Sequence, residues 1–161
     1  MSTLALFPAA HVPLVESTDH QNTPRDLAID LGWFDLDPCS NPLSHIQART
    51  AYALERGQDG LALPWEGSVF CNGNYSDPLP WCERLRQHNA PWMALWKLDT
   101  TTSWWRSLMA ARPWWAPFRQ RLRFERDGNC GVANFTSVLV WKDFELSDEL
   151  AGWLWAARRE A

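Results

Sequence analysis

The chain has 161 residues, 46% of them apolar, and a formal net charge of −4. This length suits one domain with one real core, and the apolar content excludes a disordered chain. The net charge gives no global sign of a nucleic-acid binder, no apolar run reaches membrane-spanning length and no basic leader opens the chain.

A soluble, cytoplasmic protein with no membrane partner is therefore expected. The four cysteines, Cys39, Cys71, Cys82 and Cys130, form no Cys-x-x-Cys pair, and the four histidines lie far apart. Reduced thiols and no metal site follow. Twelve tryptophans are far above ordinary usage and point to stacking or a crowded apolar surface as well as a core.

In chain order, residues 1–20, with Pro8 and Pro13, read as a flexible N-terminal arm, and residues 21–161 as one folded domain. Thr23-Pro24 reads as a helix start, with Thr as the N-cap and Pro in the first helical position. The helix Arg25 to Leu31 ends at Gly32. Trp33 to Asp37 predicts a strand stopped by Pro38, and Asp37-Pro38-Cys39-Ser40-Asn41-Pro42 predicts a loop. A strand ending in a carboxylate suits a cofactor's polar groups and equally forms an Asx-turn.

His45 to Arg56 is compatible with an irregular or helical crossover, with Tyr52 as apolar filler. Gly57 to Leu61 is a turn carrying Asp59, and Trp65 to Ser68 leads into the strand Val69-Phe70-Cys71. Leu79 to His88 predicts a helix, with Trp81, Cys82 and Leu85 on one face and Glu83, Arg84 and Arg86 on the other. Pro91 to Trp96 reads as a strand buried on both faces, ending at Lys97-Leu98-Asp99-Thr100. A helix from Thr102 or Ser103 to Ala111 is capped by hydroxyls. Leu122 to Glu125 is a short strand, Asp127-Gly128-Asn129 a turn and Ser137 to Trp141 a last strand. Asp148 to Arg159 predicts a terminal helix with Ser147 as N-cap. The alternation of strands and helices favours an α/β fold.

Two stretches carry chemistry. Val69-Phe70-Cys71-Asn72-Gly73-Asn74-Tyr75-Ser76 runs from a buried strand into an amide, a glycine, a second amide and a tyrosine. Ligands of α/β proteins bind where strands end, and these groups offer hydrogen bonds and a stacking face to a planar base. Asn-Gly is equally a turn signal. From Arg106 to Arg126 there are six arginines and one acidic residue, a balance of +5, with Trp114 and Trp115 between Pro113 and Pro117. This reads as a loop that grips phosphate and wedges bases, through Arg112, Arg119, Arg121 and Arg123, or as a solvated arginine face over a Trp-rich core.

Thr23-Pro24, Phe34-Asp35-Leu36-Asp37-Pro38-Cys39-Ser40, Asp59-Gly60-Leu61, Trp65 and Phe70-Cys71-Asn72-x-x-Tyr75-Ser76 occur in one order. They are followed by Asp99-Thr100 with Trp104-Trp105, Arg121-x-Arg123-Phe124 and Val138-Leu139-Val140. Across about residues 18–142 this order resembles the phage-type DNA N6-adenine methyltransferases. The resemblance implies a Rossmann-like S-adenosylmethionine-dependent methyltransferase sheet flanked by helices. It implies methyl transfer from S-adenosylmethionine to a flipped-out adenine, DNA as partner and, for a phage-encoded chain, the host cytoplasm. Asn72, Gly73 and Tyr75 would be catalytic: the Asn72 side chain and the Gly73 carbonyl hold the exocyclic amine, and Tyr75 stacks on the base. Thr23, Pro24, Asp37, Pro38, Cys39 and Asp59 would bind the cofactor. The absence of Gly-x-Gly-x-x-Gly fits a cofactor without a pyrophosphate.

The family carries Asn-Pro-Pro-Tyr-Ser where this chain has Asn72-Gly73-Asn74-Tyr75-Ser76. Loss of two prolines predicts a looser backbone. Two alternatives stay open. One is a weakened or inactive pseudo-methyltransferase acting as a DNA-binding or anti-restriction module. The other is an enzyme acting on a different planar amine, such as cytosine N4.

Overall fold

The computed structural model describes residues 21–126 and 129–159. The predicted arm over residues 1–20, and Asp127-Gly128 of the predicted turn, lie outside them. The first helix, α1 (Arg25–Leu31), buries Leu27, Ala28 and Leu31 and stops at Gly32. There φ is +80°, a conformation that glycine adopts at no steric cost. Its N-cap is Pro24 rather than Thr23, and the Thr23 hydroxyl serves elsewhere.

β1 (Trp33–Ser40) runs through Pro38, where the sequence predicted a stop. Its pairing slips between Asp37 and Ser40, so the missing Pro N–H falls where the ladder is already interrupted. β2 (Gln47–Ala53) pairs parallel with β1, where an irregular or helical crossover was expected. It lies at the sheet edge with only Ala53 buried, so it shows no period-two pattern to read.

A 3-10 turn, Leu54–Arg56, follows, then β3 (Val69–Cys71), α2 (Leu79–Gln87), β4 (Trp92–Lys97) and α3 (Ser103–Met109). α2 buries Trp81, Cys82 and Leu85, as its pattern predicted. α3 begins where the Thr102 hydroxyl accepts the Trp105 N–H, at 3.3 Å.

The proline-broken segment is a strand, β5 (Trp114–Pro117), not a free loop. Pro113 precedes it and Pro117 is its last residue, positions where proline bounds a strand without breaking it. β6 (Arg123–Arg126), β7 (Asn129–Val132), β8 (Ser137–Lys142), α4 (Asp148–Gly152) and β9 (Arg158–Arg159) complete the described chain. The Ser147 hydroxyl caps α4 as predicted, accepting the Leu150 N–H. The helix nevertheless ends at Gly152 instead of reaching Arg159. Beyond it Leu154 bridges to Phe118, the Trp155 N–H donates to the Pro117 carbonyl, and β9 pairs with β5. The open edge of β5 competes for this backbone and wins it.

The main sheet has seven strands in the order β2-β1-β3-β4-β8-β5-β9. β2, β1, β3 and β4 are parallel, β8 is antiparallel to β4, and β5 is antiparallel to β8. β5 therefore runs with β4. β6 and β7 form a separate ribbon. Alternate residues of the central strands feed two cores, the period-two rule applied to both faces. Phe70, Met93, Leu95, Leu139 and Trp141 pack with α1 and α4, while Val69, Cys71, Ala94, Trp96 and Val140 pack with α2 and α3. β1 switches faces part-way. The Asp35 and Leu36 N–H groups both donate to the Ser68 carbonyl, a bulge that sends Phe34 to one core and Leu36 to the other. Among the described residues no helix is long and apolar enough to cross a membrane, and no group of three or more His, Cys, Asp or Glu side chains could hold a metal ion.

Candidate ligand site

The parallel half of the sheet grows in both directions from β1: β2 lies on one side, and β3 then β4 on the other. The strand order reverses between β1 and β3, and the crevice outside the carboxyl ends at such a switch point is where open α/β sheets bind ligands. A cleft enclosing about 660 Å³, its open mouth included, lies at that point. It is lined by Thr23, Asp37, Pro38, Cys39, Asp59 and Asn72, six of the predicted site residues. Pro24 does not line it; its carbonyl accepts the Ala28 N–H and starts α1.

Asp37 is the buried charge of the cleft, 3% exposed. Its Oδ1 accepts the Cys39 N–H at 3.2 Å. Burial raises its pKa from 3.8 to about 6, against the opposing pull of hydrogen bonds from Cys39, Ser40 and Ser44. Cys39 and Cys71 face each other from β1 and β3 with sulfurs 3.6 Å apart. Burial, first, and the neighbouring Cys71 push the Cys39 thiol well above its ordinary value, so it stays protonated.

Asp59 reaches the cleft because Gly60 packs directly on β1. A Cβ at Gly60 would overlap the Pro38 carbonyl oxygen. The Asp59 Oδ1 accepts the Leu61 N–H at 2.9 Å, an Asx-turn on the cleft wall.

Asn72 follows β3 directly. Its Nδ2 donates to the Gln21 carbonyl at 3.1 Å and to the Thr23 hydroxyl at 3.2 Å. Its N–H donates to the Cys39 sulfur at 3.2 Å. The side chain is thereby held by the segment before α1, and among the described residues its Oδ1 has no donor.

Gly73 is closely packed by α2. It is buried, and a Cβ there would sit 2.8 Å from Cγ of the Trp81 indole. The indole occupies the room that a proline ring needs, and Trp81 itself lines the cleft.

Tyr75 faces away from Asn72's cleft. Its ring packs against Trp96, Phe124 and Phe135, with centroids 5.9, 6.4 and 5.5 Å away. Its hydroxyl is buried without a hydrogen-bond partner. Burial, aided by the Cys39 and Cys71 thiols, drives its pKa far upward. Tyr75 lines a second cleft with Trp96, Lys97, Asp99 and Trp104. The Asn72–Tyr75 loop is thus a wall between two clefts.

The predicted phosphate contacts separate. Arg112, Arg119, Arg121 and Arg123 are all exposed. Trp114 pairs with Trp141, which also pairs with Met93 at the start of β4. Arg112 therefore lies at the amino edge of the parallel strands, opposite the cleft. Arg121 and Arg123 follow Phe118 at the carboxyl edge, where Phe124 touches Tyr75. The sequence reading missed Asn22, Asn41, Tyr52, Gln58 and Asn74 as cleft residues. The Asn41 Nδ2 donates to the Asn22 Oδ1 at 2.6 Å, tying the segment before α1 to the end of β1. A polar pair formed across 19 residues leaves no local signal.

Fold and site together define a mixed α/β protein, its sheet flanked by helices, with a cleft at the switch point between β1 and β3. No family model matches the chain, and neither a curated protein nor a solved structure matches it.

Proposed function

We propose that this chain is an S-adenosylmethionine-dependent DNA methyltransferase with a Rossmann-like sheet, acting on the N6 amine of a flipped-out adenine. One observation carries the reading. Residues from four separate stretches, around Thr23, Asp37, Asp59 and Asn72, converge on one cleft at the switch point, and the Asn72–Tyr75 loop divides it from an aromatic cleft. The first cleft suits the donor: Asp37 is a carboxylate for the cofactor's positive or hydrogen-bonding groups, and Asp59 and Gln58 line the outer wall. When bound, S-adenosylmethionine supplies an electrophilic methyl group. The second cleft, with Tyr75, Trp96 and Trp104, suits a planar base.

Asn72 does the chemistry this chain can supply. With its Nδ2 engaged by Thr23 and Gln21, its Oδ1 would accept a hydrogen of the amine of a base that reaches over the Asn72–Tyr75 loop from the second cleft. That draws the nitrogen lone pair out of conjugation with the ring. Pre-set orientation of this acceptor lowers the reorganisation needed in the transition state. Thr23 is a positioning residue in this scheme.

A second reading, a binding module without transferase activity, is favoured by the Trp81 indole against Gly73. Tritiated methyl transfer to unmethylated DNA separates the two. Transfer by the wild type and its loss in Asn72→Ala support the enzyme. Cofactor and DNA binding without transfer supports the module. Mass spectrometry of the product nucleosides distinguishes adenine N6 from cytosine N4.

A further inference from the structure

Six arginines and no Asp or Glu occur in residues 112–123 and 153–159, within a chain of net charge −4. These two segments run side by side along the outer edge of the sheet, β5 against β9, with Leu154 bridging Phe118. The same unit occurs at both ends of that edge. At one end Arg119 donates its Nε to the Leu154 carbonyl at 2.7 Å, and its guanidinium lies 5.3 Å from the Trp155 ring centroid. At the other, Arg159 donates its Nε to the Arg112 carbonyl at 3.1 Å and lies 5.6 Å from the Trp114 ring centroid. Between them Arg158 lies over Trp115.

This arrangement has a chemical consequence. In each unit the Nε is spent on a backbone carbonyl and the plane is held by an indole. The two terminal nitrogens, which carry four of the five N–H donors, point their fork away from that carbonyl. Among the described residues neither arginine has a carboxylate partner. Glu149 shares a shallow depression with Arg119 but forms no ion pair with it. A pre-oriented, unpaired guanidinium fork matches a phosphate oxygen pair. Trp155 and Trp114 stay 57% and 41% exposed, so rings as well as charge face the partner. From Trp114 to Phe118 the edge is about 13 Å long at ~3.3 Å per residue, more than one phosphate step of a nucleic-acid strand.

We propose that this edge, with Arg119–Trp155 at one end and Arg159–Trp114 at the other, is a surface that binds the phosphodiester backbone of DNA. It lies across the sheet from the β1–β3 cleft and needs no cofactor. It therefore stands or falls separately from methyl transfer.

The test is fluorescence anisotropy of the full chain with a labelled single strand and its duplex, without cofactor, between about 50 and 200 mM salt. Arg119→Gln with Arg159→Gln should weaken binding at least tenfold. It should also flatten the slope of log affinity against log salt by about 1.8 for duplex and about 1.4 for single strand, two phosphates' worth. Arg119→Lys with Arg159→Lys should keep the slope but lose affinity severalfold, because an ammonium neither forks nor stacks. Arg86→Gln, the same charge change on α2, should match wild type. Wild-type affinity and slope in the double Gln variant, or an equal loss in Arg86→Gln, overturn the proposal. So does wild-type binding to anionic vesicles but not to DNA. If circular dichroism shows the Gln variant unfolded, the Lys variant decides, and unchanged affinity there overturns the proposal.

Discussion

At the scale of single residues, Asp37 is held in a cleft that disfavours its charge. Its folded pKa is about 6 against an ordinary 3.8. The sign follows from linkage. Below about pH 3.8 the carboxyl is protonated in both states and adds no penalty. Between about pH 3.8 and about pH 6 the folded state keeps a proton that the unfolded state has lost, and stability falls. The difference between the two states corresponds to about 3 kcal/mol, fully lost above the folded pKa. Asp37→Asn keeps the acceptor for the Cys39 N–H and cannot ionise. It should raise stability at pH 7 by up to about 3 kcal/mol, with the gain vanishing below about pH 4. The same substitution should weaken S-adenosylmethionine binding about tenfold, a loss of ~1.4 kcal/mol. Urea unfolding across that pH range, with calorimetric titration of the cofactor, checks both. Equal pH profiles for the two proteins would refute the buried-charge account.

At the scale of elements, the β3–α2 connection shows how one glycine couples a loop to a helix. Gly73 admits the Trp81 indole of α2, and Trp81 in turn packs toward Trp65, with centroids 6.5 Å apart. Arg84, one turn on, lies 5.2 Å from the Trp65 ring centroid and donates to the Leu61 and Leu63 carbonyls. α2 thus anchors both the Asn72 loop and the Asp59–Trp65 segment, the two walls of the cleft. A proline at position 73, where the family pattern would place one, does not fit this packing. Gly73→Pro should destabilise by about 1–3 kcal/mol through overpacking and should not raise methyl transfer. Combined with Trp81→Leu, it should cost less than the sum of the two single changes by at least about 0.5 kcal/mol. Additive effects in that thermodynamic cycle would show that Gly73 and Trp81 do not compete for space.

At the scale of the whole molecule, the C-terminal segment closes the sheet. Leu154 is 3% exposed, and its neighbours supply the hydrogen bonds that the outer edge of β5 would otherwise leave open. Deleting residues 154–161 should lower stability by at least about 2 kcal/mol from the lost Leu burial. It should also expose a strand edge carrying Trp115, and so promote self-association. Thermal melts and light scattering over a range of concentrations report both. A monomeric deletion variant with an unchanged melting temperature would count against this role. The segment also brings Arg158 and Arg159 to β5, so one stretch of chain both covers an edge and adds charge to it.

Local chemistry in the sequence determined much of this protein. Caps at Thr102 and Ser147, the Gly32 stop, the buried face of α2 and the doubly buried runs of β4 and β8 were legible because each rests on neighbours within a few residues. So was Asn72 as a polar group at a strand's end. Tertiary structure decided the rest. β2 and β5 became strands because adjacent strands offered unpaired backbone, which no periodicity in Gln47–Ala53 or Trp114–Pro117 announces. The helix expected up to Arg159 yielded beyond Gly152 to the same demand. The close packing at Gly73 could not be read from its neighbours in the chain, because the indole beside it arrives from α2. Sequence reports what each residue can do with its neighbours in the chain. Only packing decides which distant group takes the remaining space and the remaining hydrogen bonds.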